Sequence, residues 1–238
     1  MGDLGSYSLD RFIPFMAESY FRLFERQNAA LWPASVLLAA LGIAAVVLAL
    51  RAAGGRAALI LLAAAFATVA IAFHFRLYAE LTPVGQIFGW TFLVQSGLML
   101  ACGLSGQIDA RPPESFGRVL SSRIGLTLAI LGVAVYPLLA PLTGRGWRGT
   151  ELFGTAPDPT VCVVLGIVLI VARPRWLWAL LPIPLLSCIV SGATLHVIEA
   201  PFALALPVVG VAAIAGAFLK SSRSLEPNSP KAAEGRRG

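Results

Sequence analysis

The sequence predicts an all-α, polytopic membrane helix bundle: seven transmembrane helices preceded by an amphipathic interfacial helix. Three observations carry this reading. Of 238 residues, 58% are hydrophobic and 13% charged, whereas a soluble domain needs about 25% charged residues to cover its surface. The charges cluster between apolar runs of the length that crosses a bilayer. The basic residues lie at the ends of those runs and in the C-terminal tail, with no patch interleaved with aromatics. The net charge of +6 therefore follows membrane topology and excludes nucleic acid as a partner.

Residues 1–8 read as a flexible polar terminus. Over residues 9–27, Leu9, Phe12, Ile13, Met16, Tyr20, Leu23 and Phe24 recur at three- and four-residue spacing, with Arg11, Glu18, Arg22, Glu25 and Arg26 largely opposite. That pattern is an amphipathic helix, with Pro14 in its first turn or at a kink. It is too charged to span and is placed in the interface plane; a helix packed on the bundle is the alternative. The first apolar run starts only near Leu31, behind this stretch, which does not fit a secretory signal peptide.

Seven apolar segments fill residues 31–219: Leu31–Leu50, Ala57–Phe75, Val84–Leu104, Leu120–Leu142, Pro159–Ala172, Trp176–Val197 and Pro201–Leu219. Spanning takes about 20 residues. Six segments meet that length or nearly so. The fifth, at 14 residues, gives only about 21 Å of helix. It must borrow length from Phe153 to Asp158. A backbone broken by Pro157 and Pro159 at that depth needs protein or a wet cavity around it. Kinks are expected at Tyr136-Pro137, Pro182, Pro184 and Pro207. Gln95, inside the third span, needs a partner within the bundle. Gly85 and Gly89 have the small-xxx-small spacing of a close helix contact. The tail, residues 221–238, is basic, reads as disordered and is drawn to anionic lipid. No internal repeat is visible, so the inverted-repeat sign of many transporters is missing.

With seven spans, the 18 basic residues divide six on the side of the N-terminus and twelve on the other. The positive-inside rule makes the richer side cytoplasmic. The expected location is a bacterial inner (plasma) membrane, with the N-terminus outside and the C-terminus inside.

The ligand-site candidates lie on the predicted outer face. His74 and His196 end the second and sixth spans. They are either a pair able to bind a metal or move protons, or two interfacial residues. Glu80, Glu151, Asp158 and Glu199 occupy the outer loops, with Arg145 and Arg148 as partners. Asp158 is either an N-cap of the fifth helix, with Pro159 at its first position, or a carboxylate lining an outward cavity. Cys102, Cys162 and Cys188 lie in apolar runs without metal-like spacing. The seventh span carries no mid-span Lys, and there is no four-histidine pattern, phosphate loop, HExxH or GxSxG. No catalytic residue, metal ligand or cofactor is assigned.

Five landmarks carry a family resemblance. They are Asn28-Ala-Ala-Leu-Trp32-Pro33, His74, Pro83 to Phe88-Gly89, Tyr136-Pro137-Leu-Leu139, and Phe153-Gly154-Thr-Ala-Pro157-Asp-Pro159-Thr160. In this order, over about residues 12–218, the chain resembles a bacterial multi-pass membrane family called domain of unknown function 6064. The resemblance implies a bacterial membrane protein without a defined activity; some members carry transporter-permease labels. The family usually has Asn-Pro at Thr82-Pro83, Gly-His at Gly144-Arg145 and Pro-Cys-Pro at Pro157-Asp158-Pro159. Any metal or redox chemistry of that Cys and His would be partly lost here.

The expected function is to bind or transport a small solute or ion through an outward-facing polar pocket. The alternative is a structural or assembly partner of another membrane protein, with no ligand site. An enzyme has the least support, because no nucleophile–base pair is visible. Expected partners are the lipid bilayer, the solute or ion, and a second copy or another membrane protein.

Overall fold

The structure is a computed structural model that describes residues 14–106, 108–109 and 116–222. The expectations for residues 1–8, for the start of the amphipathic helix at 9–13 and for most of the tail lie outside the described residues. Eight helices carry the described fold: α1 Ala17–Leu31, α2 Ala34–Ala49, α3 Gly55–Leu81, α4 Val84–Leu104, α5 Arg118–Leu142, α6 Pro157–Val171, α7 Pro174–Val197 and α8 Ala205–Ser221. No strand is present among the described residues; one isolated bridge pairs Ile108 with Ala172.

Among the described residues, four helices (α3, α4, α5 and α7) are long and apolar enough to cross a membrane. A fifth span results if α1 and α2, bent by 98° at Trp32-Pro33, are taken together. Helices α6 and α8 are apolar but shorter, at 15 and 17 residues. Large exposed apolar side chains stud α2, α4, α7 and α8, among them Leu37, Ile87, Trp90, Ile189 and Val211. A soluble protein rarely leaves so much apolar surface uncovered.

Helix α6 is the axis of the bundle. Every residue in it except Ile170 is buried, and it packs against α2, α3, α5, α7 and α8. A helix apolar all round belongs in such a place. Two glycines set its distance from α5: a Cβ on Gly125 would lie 2.5 Å from the Gly166 carbonyl oxygen. At the C-terminal end of α6, the buried Lys220 ammonium donates to the carbonyls of Leu169 (2.8 Å) and Ile170 (3.1 Å) and lies 3.4 Å from Asp109. It fills orphan carbonyls at the negative end of the helix dipole.

Several expected elements shift in detail. The second segment runs on to Leu81, because Val69–Tyr78 continues as π-helix through the aromatic cluster. The seventh starts at Ala205 rather than Pro201, so Pro207 falls in its first turn, where a proline is tolerated. The expected kink before Pro137 takes the form of a π-helical turn, Leu131–Val135. Helix α7 breaks at Leu181, before Pro182. The Gly85–Gly89 spacing is a close contact: a Cβ at Gly89 would collide with the Phe75 ring.

Helix α1 buries Tyr20, Leu23, Phe24 and Gln27 and exposes Glu18, Arg22, Glu25 and Arg26. Phe24 stacks on Phe73 at 5.3 Å. The Asn28 amide donates to the carbonyls of Arg148 (2.9 Å) and Thr150 (2.7 Å). The amphipathic face therefore packs on the end of the bundle where α3, α5 and α7 end and α6 begins.

Candidate functional site

The entry to α6 builds the site. Phe153, Gly154, Thr155 and Ala156 are buried and form a tight turn. Gly154 takes φ +77°, open mainly to glycine, and its N–H donates to Thr160 Oγ1 at 2.9 Å. Thr160 Oγ1 in turn donates to the Ala156 carbonyl at 2.6 Å. The Phe153 ring fills the hollow at Gly42, where a Cβ would lie 2.8 Å away. The broken backbone is thus wrapped in protein.

Asp158 is not the N-cap. Ala156 holds that position, Pro157 is the first helical residue, and no side chain caps the helix. The prolines explain why none is needed: Pro157 and Pro159 have no N–H, so the first turn carries fewer orphan donors. The Asp158 carboxylate turns into the bundle instead. Its Oδ2 accepts from the Tyr136 hydroxyl at 2.9 Å and from the Ser191 hydroxyl at 2.7 Å. The positive end of the α6 dipole also favours its negative charge. Gly132 lets α5 come close enough: a Cβ there would lie 2.6 Å from the Pro159 carbonyl oxygen.

Asp158 faces a cavity of about 30 Å³, room for one or two waters. His74, Tyr78, Tyr20, Ser187, Ser191 and Thr194 supply its other polar wall. His74 is buried, and neither ring nitrogen has a hydrogen-bond partner among the described residues. Aromatic rings enclose it: Phe92 at 4.5 Å, Phe73 at 5.4 Å and Phe88 at 5.7 Å.

Tyr136 also lines a second cavity of about 20 Å³, shared with Arg145 and Glu151. Arg145 pairs with Glu151 at 3.1 Å, both largely buried, and lies 3.9 Å over the Phe21 ring. Burial, then the nearby Asp158 charge, pushes the Glu151 carboxyl up to about 8, against the pull of Arg145.

Of the six sequence candidates, the structure brings His74 and Asp158 to one cavity and places Glu151 on the other side of Tyr136. Glu80 forms a half-exposed bidentate pair with Arg26 at 2.7 and 3.1 Å. His196 and Glu199 are exposed and line neither cavity, so the two histidines do not meet. Among the described residues no group of three His, Cys, Asp or Glu could hold a metal. Sequence reasoning missed Tyr20, Tyr78 and the α7 hydroxyls. A signal existed for the latter: Ser187, Ser191 and Thr194 fall at i, i+4 and i+7, one polar stripe on an apolar helix.

These residues define a helical protein with membrane-span-like helices and a buried polar cluster near one end. The chain belongs to a family of unknown function, DUF6064, whose model matches residues 17–226. The landmarks of that resemblance have structural roles here: Asn28 ties α1 down, Trp32-Pro33 is the bend, Phe88 walls the cavity, Tyr136 holds Asp158, and Phe153 packs at Gly42. No curated protein and no solved structure matches the chain.

Proposed function

We propose that this chain is a seven-span inner-membrane protein that binds a small ion in the cavity between Asp158 and His74. Helices α2 to α8 make the passes, and α1 lies in the outer interface across the cavity's end. One observation carries the reading: a buried histidine, both of its nitrogens unpartnered among the described residues, shares a cavity with a buried carboxylate. Unsatisfied buried polar groups cost about 1–3 kcal/mol each, and ionisable groups within a membrane bundle are usually functional. The cavity volume favours a ligand of a few atoms over an organic solute. Transport would need a second conformation. From Asp158 to Leu169, about 16 Å along α6, the core is sealed by buried Val161, Val163, Val164, Leu165, Ile167 and Val168.

Purified protein in nanodiscs tests the binding. Melting temperature is followed against pH and against Na⁺, K⁺, Li⁺ and Mg²⁺, in wild type and Asp158→Asn. A response to at least one ion that Asp158→Asn removes is expected; no Asp158-dependent response to any of them sinks the reading. A Cys at Ser6 should react with an impermeant thiol reagent in intact cells and one at Ser224 should not, which checks the orientation.

A second reading, an assembly partner for another membrane protein, draws on a groove of about 510 Å³ beside Trp32, Val36, Pro137 and Trp147. Both tryptophans are 70% exposed. Co-purification of one stoichiometric partner, lost in Trp32→Ala/Trp147→Ala, would favour it.

A further inference from the structure

We infer that the ion is a proton, held between Asp158 and His74 and delivered to Asp158 from the Glu151 side through Tyr136. This rests on the small-ion reading above and names its ligand.

The donor set argues against a metal cation. Asp158 is the one carboxylate on the larger cavity among the described residues, and its Oδ2 already takes the hydrogens of Tyr136 and Ser191. A hard cation bound by oxygen needs about six ligands, and this wall would have to supply all but Asp158 from neutral hydroxyls, one of which, Ser191, already donates to Asp158.

The same groups suit a proton. A neutral imidazole has one N–H and one lone pair, and at His74 both lack partners among the described residues. Rings close the other sides, so the cavity is where a water could join His74 to Asp158. On the other side of Asp158 stands Tyr136: its hydroxyl touches Asp158 directly, and the residue lines the smaller cavity with Glu151. The smaller cavity has room for about one water.

Each hop balances. Glu151 gives its carboxyl proton to that water. The water gives a proton to the Tyr136 oxygen as Tyr136 passes its own to Asp158 Oδ2. One O–H bond breaks at Glu151, one forms at Asp158, and Tyr136 ends neutral. The next hop breaks that O–H and forms N–H at His74, through a water in the larger cavity.

The groups that act on Asp158 come from every neighbouring element. Tyr20 faces it from α1, and His74 and Tyr78 from α3. Tyr136 faces it from α5, and Cys188 from α7, with Cys162 on α6 itself. Glu151 and its cation Arg145 face it from the loop. Arg145 is the fixed positive charge at the entrance, beside the group that loads the path.

Infrared difference spectroscopy on the full chain in nanodiscs, labelled with ¹³C-aspartate, tests this by pH steps between about pH 5 and about pH 9. A labelled protonated-carboxyl band should titrate in wild type. It should vanish in Asp158→Asn, and its midpoint should move by about one pH unit in His74→Phe. Tyr136→Phe should slow its appearance after a pH jump by about tenfold or more. The wild-type measurement stands even where a variant fails to fold. A wild type with no titrating labelled band overturns the inference. If that result comes with Asp158-dependent stabilisation by Na⁺ or another metal cation, the proton fails and the small-ion reading survives. If neither proton nor metal gives a response, both fail.

Discussion

The Gln95 side-chain amide donates a 2.9 Å hydrogen bond to the Leu180 carbonyl. Leu180 is four residues before Pro184, which has no N–H to offer it. A polar side chain on α4 therefore supplies what a proline on α7 withholds, at a fully buried position. Gln95→Leu should destabilise the protein by about 1–2 kcal/mol. In a Pro184→Ala background, where residue 184 regains an N–H, the loss should shrink. A double-mutant cycle in detergent unfolding checks this, and equal losses in both backgrounds would refute the account.

Tyr136→Phe removes one of two hydrogen bonds to a buried carboxylate. It should cost about 1.5–3 kcal/mol. In an Asp158→Ala background the same change should cost much less, because its acceptor is gone. Unfolding midpoints of the four proteins decide it.

Glu151 gives a pH dependence with a definite sign. Its carboxyl has an ordinary value of 4.5 and is pushed up to about 8 in the fold. Between these values the unfolded chain has lost the proton and the folded chain keeps it, so stability falls as pH rises through that window. A tenfold difference in proton affinity between the two states is worth about 1.4 kcal/mol. Glu151→Gln should flatten this part of the melting profile, and an unchanged profile would mean that Arg145 holds Glu151 ionised.

Gly125 and Gly97 should respond oppositely to alanine. At Gly125 a methyl meets the α6 backbone, and overpacking costs about 1–3 kcal/mol. At Gly97 nothing lies within 4 Å, so helix propensity alone acts and alanine should be neutral or stabilising by up to about 1 kcal/mol. Thermal melts of the two single variants test the pair.

Asn28→Ala should loosen α1 without unfolding the bundle, because its amide joins Arg148 and Thr150 to the helix. Hydrogen exchange should speed up in residues 17–31 and 147–152 and stay unchanged in α6.

Much of the architecture was legible in the sequence because it follows from local chemistry. Apolar runs, their charged ends and their prolines fix where helices run and break. The buried turn at Phe153–Ala156 followed from two prolines, a glycine and a short apolar run, and the Arg145–Glu151 pair from charge and proximity. The exact helix ends were less legible. The π-helix through His74 carries no proline or glycine signal, and Ala205 starts α8 only because Pro201–Leu204 folds into a turn.

What only the tertiary structure decided is which polar groups meet. Asp158 reads locally as a cap, since sequence shows the helix start but not the hydroxyls of Tyr136 and Ser191, brought in from 22 and 33 residues away. The two histidines read alike, yet one is sealed among rings and the other is exposed. Sequence sets the spacing of residues along each helix. Which face turns inward depends on packing against neighbours that are distant in the chain, and here those contacts are made at glycines where helices nearly touch.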